Sequence, residues 1–211
     1  MHQLDHLLWK ERDLGEGERR FADLTGVAPA YGGPHADGET HNSLLSLGRG
    51  RYLELIAPRP EHPGTGGLLT NAPEGAAPGL FTFAVQAADL DLLERSATAS
   101  GLEVTRQRGG RTTPGGETLT WETATVNTHD FGLFVPFFIR WGRVVHPSAT
   151  APQGCELLEF SVGHPRHRDL AGLYAALEVD VPVFRAEQPR LRATLRTPKG
   201  ELVLHSTFRY G

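Results

Sequence analysis

Sulfur is nearly absent from this chain of 211 residues, which has one cysteine, Cys155, and one methionine. No intrachain disulfide can form, and no cysteine-based zinc cluster is available. Cys155 would be a nucleophile only beside a base. Opening an apolar strand, it reads instead as a buried, inert thiol. No apolar run approaches the roughly 20 residues that a membrane-spanning helix needs. Positive charge is not in excess either, and a formal charge of -4 argues against a nucleic-acid partner, whose footprint is a basic face. The opening stretch MHQLDHLLWKERDLGEGE has acidic and basic residues close behind its short apolar run, unlike a signal peptide, so the expected location is the cytoplasm. The chain also lacks a GxGxxG turn after a strand, a phosphate loop, an HExxH helix and a GxSxG elbow. GEGERR and GTGG contain glycines without those surroundings. Common nucleotide-binding, zinc-protease and serine-hydrolase chemistries therefore have no motif to rest on.

What the chain does have is a block of about fifty residues in three copies. Residues 4 to 58 run from the apolar strand LDHLLW through a helix to YLELIAP. Residues 79 to 142 repeat the plan with LFTFAVQ, a helix, LTWETATV and FGLFVPFFI. Residues 155 to 205 do so again with LLEFSV, a helix, RLRATLRT and ELVLHS. Each copy reads as a strand, a helix and two or three further strands. The expected division is 1-145 for the first two modules and 155-211 for a third, closely packed on them.

The helices have local support. Asp13 caps the first, with Glu16 placed as in a capping box, and Gly26 supplies a left-handed stop. Leu14, Phe21 and Leu24 then share a face. Leu90, Leu93 and Ala97 do the same between Asp89 and Gly101, and Leu170, Leu173, Tyr174 and Leu177 around 168 to 178. These stripes pack on a sheet. In the third copy Glu178 replaces the closing glycine, so that helix is expected to end differently.

The joints are rich in Pro and Gly: 58 to 79, and HPSATAPQG at 146 to 154. A further loose stretch, RQRGGRTTPGGE at 106 to 117, reads as a solvated hairpin tip or lid. From it, Arg106, Arg108 and Arg111 could grip an anionic substrate.

DHLLW with the helix start behind it, THNSLLSLG, YLELIAP and PFFIRWGRVVHPS together resemble the glyoxalase-like members of the vicinal oxygen chelate superfamily, over nearly the whole chain. That resemblance implies an α+β fold of repeated βαβββ modules, whose curled mixed sheets form a cupped pocket. In active relatives the pocket holds a divalent metal (Zn, Fe, Mn, Co or Ni), ligated from first and last strands of paired modules. Metal-free relatives bind drugs, so the fold does not settle the activity.

By the same resemblance, His6 on the first strand takes the imidazole-ligand position and Glu54 on the fourth the carboxylate position. In the second module the corresponding places hold Thr82 and the apolar PFFI, which are poor ligands. In the third they hold Glu159 and His205, which would complete a four-ligand set if the first and third modules face each other. A shift of one residue would turn each side chain to the opposite face. His41 and Asn42 open one strand, and alternation sends one of them into the cup. Phe137, Phe138 and Trp141 could supply aromatic walls, while His129 and His146 read as turn residues.

The leading expectation is a small-molecule enzyme, a metal-assisted lyase, isomerase or dioxygenase acting on vicinal oxygens. His6 would anchor the metal and Glu54 would move the proton. The alternative is a metal-free protein that binds or sequesters a small molecule. No nucleic-acid or membrane partner is expected. Three modules that work in pairs leave one sheet unpartnered, for which a homodimer is the simplest remedy.

Overall fold

The computed structural model describes residues 1-61, 69 and 77-207. Most of the joint expected at 58 to 79 therefore lies outside the described residues. The first copy folds as β1 (Leu4–Lys10), α1 (Leu14–Thr25), β2 (Ala30–Pro34), β3 (Thr40–Ser46) and β4 (Tyr52–Pro58). The second folds as β5 (Gly79–Gln86), α2 (Leu90–Ala99), β6 (Glu103–Thr112), β7 (Thr118–Asn127) and β8 (Phe137–Trp141). After the short α3 (Pro147–Thr150) come β9 (Glu156–His164), α4 (His167–Ala176), β10 (Val183–Arg185), β11 (Arg190–Thr197) and β12 (Gly200–His205).

Local chemistry sets the helix ends. The Asp13 carboxylate accepts from the Glu16 N–H at 2.8 Å, and Gly26 closes α1 at a φ of 79°. Asp89 accepts from the Asp91 and Leu92 N–H groups, each at 2.9 Å. The expected stripes are buried with two exceptions: Leu173 is only partly buried against the core, and Leu24 stays 42% exposed while Gly17 and Thr25 turn inward. Glu178 does not change how the third helix stops. It takes the left-handed conformation itself, with φ 53°.

Eight strands form one sheet in the order β2-β3-β4-β1-β5-β8-β7-β6. Within each of the first two modules the first strand runs parallel to the last, β1 with β4 and β5 with β8. Antiparallel β1 and β5 join the modules edge to edge. The sheet curls until its two edges touch. His35 and Arg111 form a bridge, and the Ala36 N–H donates to the Gly110 carbonyl at 2.8 Å. The cup therefore belongs to one continuous sheet, not to two facing sheets. The stretch at 106 to 117 is part of the β6-β7 hairpin: residues 106 to 112 are paired with β7, and 113 to 117 form its turn.

Alternation along β1 decides what lies on each side of this sheet. His6 and Leu8 line the cup, whereas Leu7, paired with Phe83, joins the core behind it. The four-stranded sheet β10-β9-β11-β12 packs on that rear face, where the Phe83 and Phe160 rings meet at 4.8 Å and β11 and β12 contact β5. The Tyr174 hydroxyl adds a bond to the Phe134 carbonyl. The third copy keeps the order strand, helix, three strands but not the pairing. β9 runs parallel to β10, and β11 separates β9 from β12. The first and third modules therefore do not face each other across the cup. No described helix is long and apolar enough to cross a membrane.

Candidate functional site in the curled sheet

The concave side encloses a cavity of about 450 Å³. Its polar floor is assembled from the first module. His6 comes from β1, Glu54 from β4 and Asn42 from β3, while His35 follows the end of β2 where the sheet edges meet. Tyr52 stacks on His6 with ring centroids 4.5 Å apart, and Phe137 meets the same imidazole edge-on. Trp121 and Trp141, 5.4 Å apart, form the wall supplied by the second module.

Both oxygens of Glu54 are engaged. Oε1 accepts from the Asn42 amide at 2.8 Å and lies 3.4 Å from His35 Nε2, and Oε2 lies 3.4 Å from His6 Nε2. Burial by itself raises a carboxyl pKa. Here the His35 hydrogen bond and charge, the His6 charge and the Asn42 amide outweigh it and bring Glu54 from 4.5 down to about 2. Glu54 is thus ionised at neutral pH.

His6 is oriented from behind. Its Nδ1 lies 2.7 Å from Asp5 Oδ1, and Asp5 Oδ2 accepts from Trp141 Nε1 at 3.1 Å and lies 3.1 Å from His146 Nε2. Neighbouring residues of a regular strand point to opposite faces, so this contact needs a local break. The β1-β5 register shifts between Leu4 and His6, which leaves Asp5 as a bulge residue free to turn beside His6. Burial would raise the Asp5 pKa, but hydrogen bonds from His146 and His6 hold it well below the usual carboxylate range. His146 also caps α3, accepting from the Ser148 N–H at 3.3 Å, so it serves both as the turn residue expected and as a support of the floor.

The expected site residues divide cleanly. His6, Glu54, Asn42, Phe137 and Trp141 line the cup. His41, next to Asn42, does not. Its ring meets Tyr31, and burial together with the Arg59 charge lowers its pKa. Phe138 is fully buried in the core. Glu159 lies in the small sheet, ion-paired with Arg192 at 2.9 Å, and His205, exposed, pairs in register with that same arginine from the other side. The small sheet stands behind the large one, so neither reaches His6 and Glu54. Asp5, His35, Tyr52 and Trp121 join the site without having been singled out. For Asp5 the adjacent DH pair was the available signal, while His35 is brought in only by the curl.

The donor set meets the needs of a divalent ion only in part. The His6-Glu54 separation of 3.4 Å suits two ligands of one metal. A third donor does not converge, because His35 approaches the other carboxylate oxygen. Thr82 spends its hydroxyl on the Leu133 carbonyl at 3.1 Å, and β8 offers Phe137 and Ile139 to the cavity. Among the described residues no group of three or more His, Cys, Asp or Glu is arranged to hold a metal. These side chains do not fit the four-ligand site implied by the family resemblance.

Two βαβββ modules joined edge to edge around a polar-floored cup define the vicinal oxygen chelate fold. The chain belongs to the family described as glyoxalase-like domain, whose model matches residues 4–178. A crystal structure of a hypothetical protein from Staphylococcus aureus is similar with a TM-score of 0.69 and 15% identity, over 97% of this chain and 85% of that one. A methylmalonyl-CoA epimerase in complex with methylmalonyl-CoA and NH4+ is similar with a TM-score of 0.51 and 14% identity, over 70% of this chain and 99% of that one. A mutant of 4-hydroxymandelate synthase from Streptomyces coelicolor gives 0.53 and 15% identity, over 99% of this chain and 64% of that one. No protein of curated function matches. At these identities the likeness is one of fold.

Proposed function

We propose that the cup is the active site of a small-molecule enzyme that moves a proton at a carbon next to a carbonyl, the chemistry of an isomerase or lyase. The observation that carries this reading is the line Asp5-His6-Glu54, buried at the floor of a cavity large enough for a small organic substrate. Burying two carboxylates is expensive, and a perturbed carboxylate paired with an oriented imidazole at the floor of a cleft is a signature of function. In the proposed step the proton leaves the substrate carbon for His6 Nε2, and the electron pair moves onto the carbonyl oxygen as an enolate. The resulting imidazolium lies between Asp5 and Glu54. Return of the proton to the other face of the carbon, or to its neighbour, completes an isomerisation. Glu54, with its pKa at about 2, is too weak a base to take that proton alone. Its part is to stabilise the charged imidazole.

The second reading is a metal-free protein that binds or sequesters a small molecule. Two observations favour it: both Glu54 oxygens are already engaged, and the second module brings Phe137 and Ile139 where ligands would stand. Solvent-deuterium exchange separates the two. A panel of 2-oxo and 2-hydroxycarbonyl compounds would be incubated with the protein in D2O and followed by proton NMR. Proton transfer predicts loss of the signal next to the carbonyl with the wild type, and at least a hundredfold slower loss with His6→Asn. A compound that saturates the cup without exchanging would sink the enzyme reading and leave the binding one.

A further inference from the structure

Among the described residues Arg111 has no ion-pair partner. It lines the cavity from β6 at 6% exposure, donating one bond to the Gly32 carbonyl. A guanidinium carries five N–H donors, and no ion pair joins this one to any described carboxylate. Glu54 and Tyr52 act on it only through space, against a larger desolvation that lowers its pKa. The other arginines of β6 are spent elsewhere. Arg106 pairs with Asp91, Glu94 and Glu122, and Arg108, at the mouth of the cup, pairs with Glu122. A buried cation without a partner is costly. Closing the sheet does not require it, because the Ala36-Gly110 bond is made by the backbone.

We propose that Arg111 is the anion anchor of the cup and that the ligand is a small organic carboxylate. The carboxylate takes the bidentate position on the guanidinium that no described protein group fills, and the body of the molecule packs against Trp121 and Trp141. Glycine at position 109 makes this wall possible, since a Cβ there would collide with the Trp121 indole. The assignment rests on the cup being a ligand site, as proposed above. It adds the substrate class: an acid held at Arg111 reaches across the floor toward His6 and Glu54.

The test uses matched pairs of acid and neutral amide: phenylacetate with phenylacetamide, indole-3-acetate with indole-3-acetamide, and 2-naphthoate with 2-naphthamide. Each is titrated into the full chain at neutral pH, with tryptophan fluorescence and calorimetry as readouts. The expected result is that acids bind at least tenfold more tightly than their amides. Arg111→Gln should erase that preference while amide affinity stays within twofold, and Arg111→Lys should keep part of it as a point charge. Acids and amides binding the wild type alike, or Arg111→Gln retaining the preference, would overturn the assignment. If Arg111→Gln does not fold, the wild-type pairs together with Arg111→Lys decide. Should neither acid nor amide bind in any pair, it is the reading of the cup as a ligand site that fails; should both bind equally, only the role of Arg111 fails.

Discussion

Glu54 concentrates the electrostatics of the cup in one carboxylate, and its pH behaviour follows from its neighbours. Its pKa falls from 4.5 in the unfolded chain to about 2 in the folded one. A depressed carboxyl contributes stability that is complete above the unfolded value and lost as pH falls toward the folded value. At about 1.4 kcal/mol per unit this amounts to about 3 kcal/mol lost between roughly pH 4.5 and pH 2. Glu54→Gln cannot titrate, so its urea-unfolding free energy should decline less than the wild type's over that interval, by about that amount. Parallel curves for the two proteins would mean that His35 and His6 do not hold the carboxylate down. Position 54 also marks how far the residues could be read from sequence. His6 and Glu54 followed from the family resemblance, and alternation said that one of His41 and Asn42 enters the cup without saying that it is Asn42. Asp5 depends on a bulge that no hydrophobic pattern announces. His35 depends on where two sheet edges meet, a contact between residues far apart in the chain, and that same contact is what sets Arg111 apart from Arg106 and Arg108, which the sequence offered alongside it.

At the scale of elements, caps and strand patterns were legible because their causes are local. Asp13, Asp89 and Gly26 act within a turn of the helices they bound, and alternating apolar residues mark the strands. Strand pairing is not local. The third copy has the same run of elements as the first two, yet β11 inserts beside β9 where the earlier copies place their last strand. That single difference separates Glu159 from His205. Glu178 provides a direct test at this scale. It occupies a left-handed conformation, with φ 53°, where the first two copies use Gly26 and Gly101. A side chain in that region costs on the order of 1 kcal/mol, and the Glu178 contact with the amino terminus at 3.2 Å joins two exposed groups, which are worth little. Glu178→Gly should therefore stabilise the protein by about 0.5–1 kcal/mol, seen as a rise in the urea midpoint without a change in slope. A fall would show that the surface ion pair outweighs the backbone strain.

The whole molecule resolves its odd number of modules internally. The small sheet covers the rear face of the large one, and a single core cluster holds Leu7, Phe83, Phe160, Leu191 and Leu195 together. The rear sheet face that a homodimer would have covered is occupied by the small sheet. Light scattering at tens of micromolar should then report a mass near 23.0 kDa. A mass of twice that value would place a dimer contact on some other surface. The shared core also couples the two sheets energetically. Phe160 packs on Phe83 at 4.8 Å across the junction, and truncating a buried phenylalanine costs about 3–5 kcal/mol. Phe160→Ala should lower the melting temperature of the entire chain in one transition, with near-ultraviolet signals from Trp121 and Trp141 in the distant cup lost at the same temperature as far-ultraviolet structure. If the cup tryptophans kept their wild-type melting temperature while a second, earlier transition appeared, the small sheet would be an independent unit and the rear-face packing only a loose association. A single transition is expected because the face that Phe160 covers is the back of the strand pair, β1 and β5, whose front carries His6.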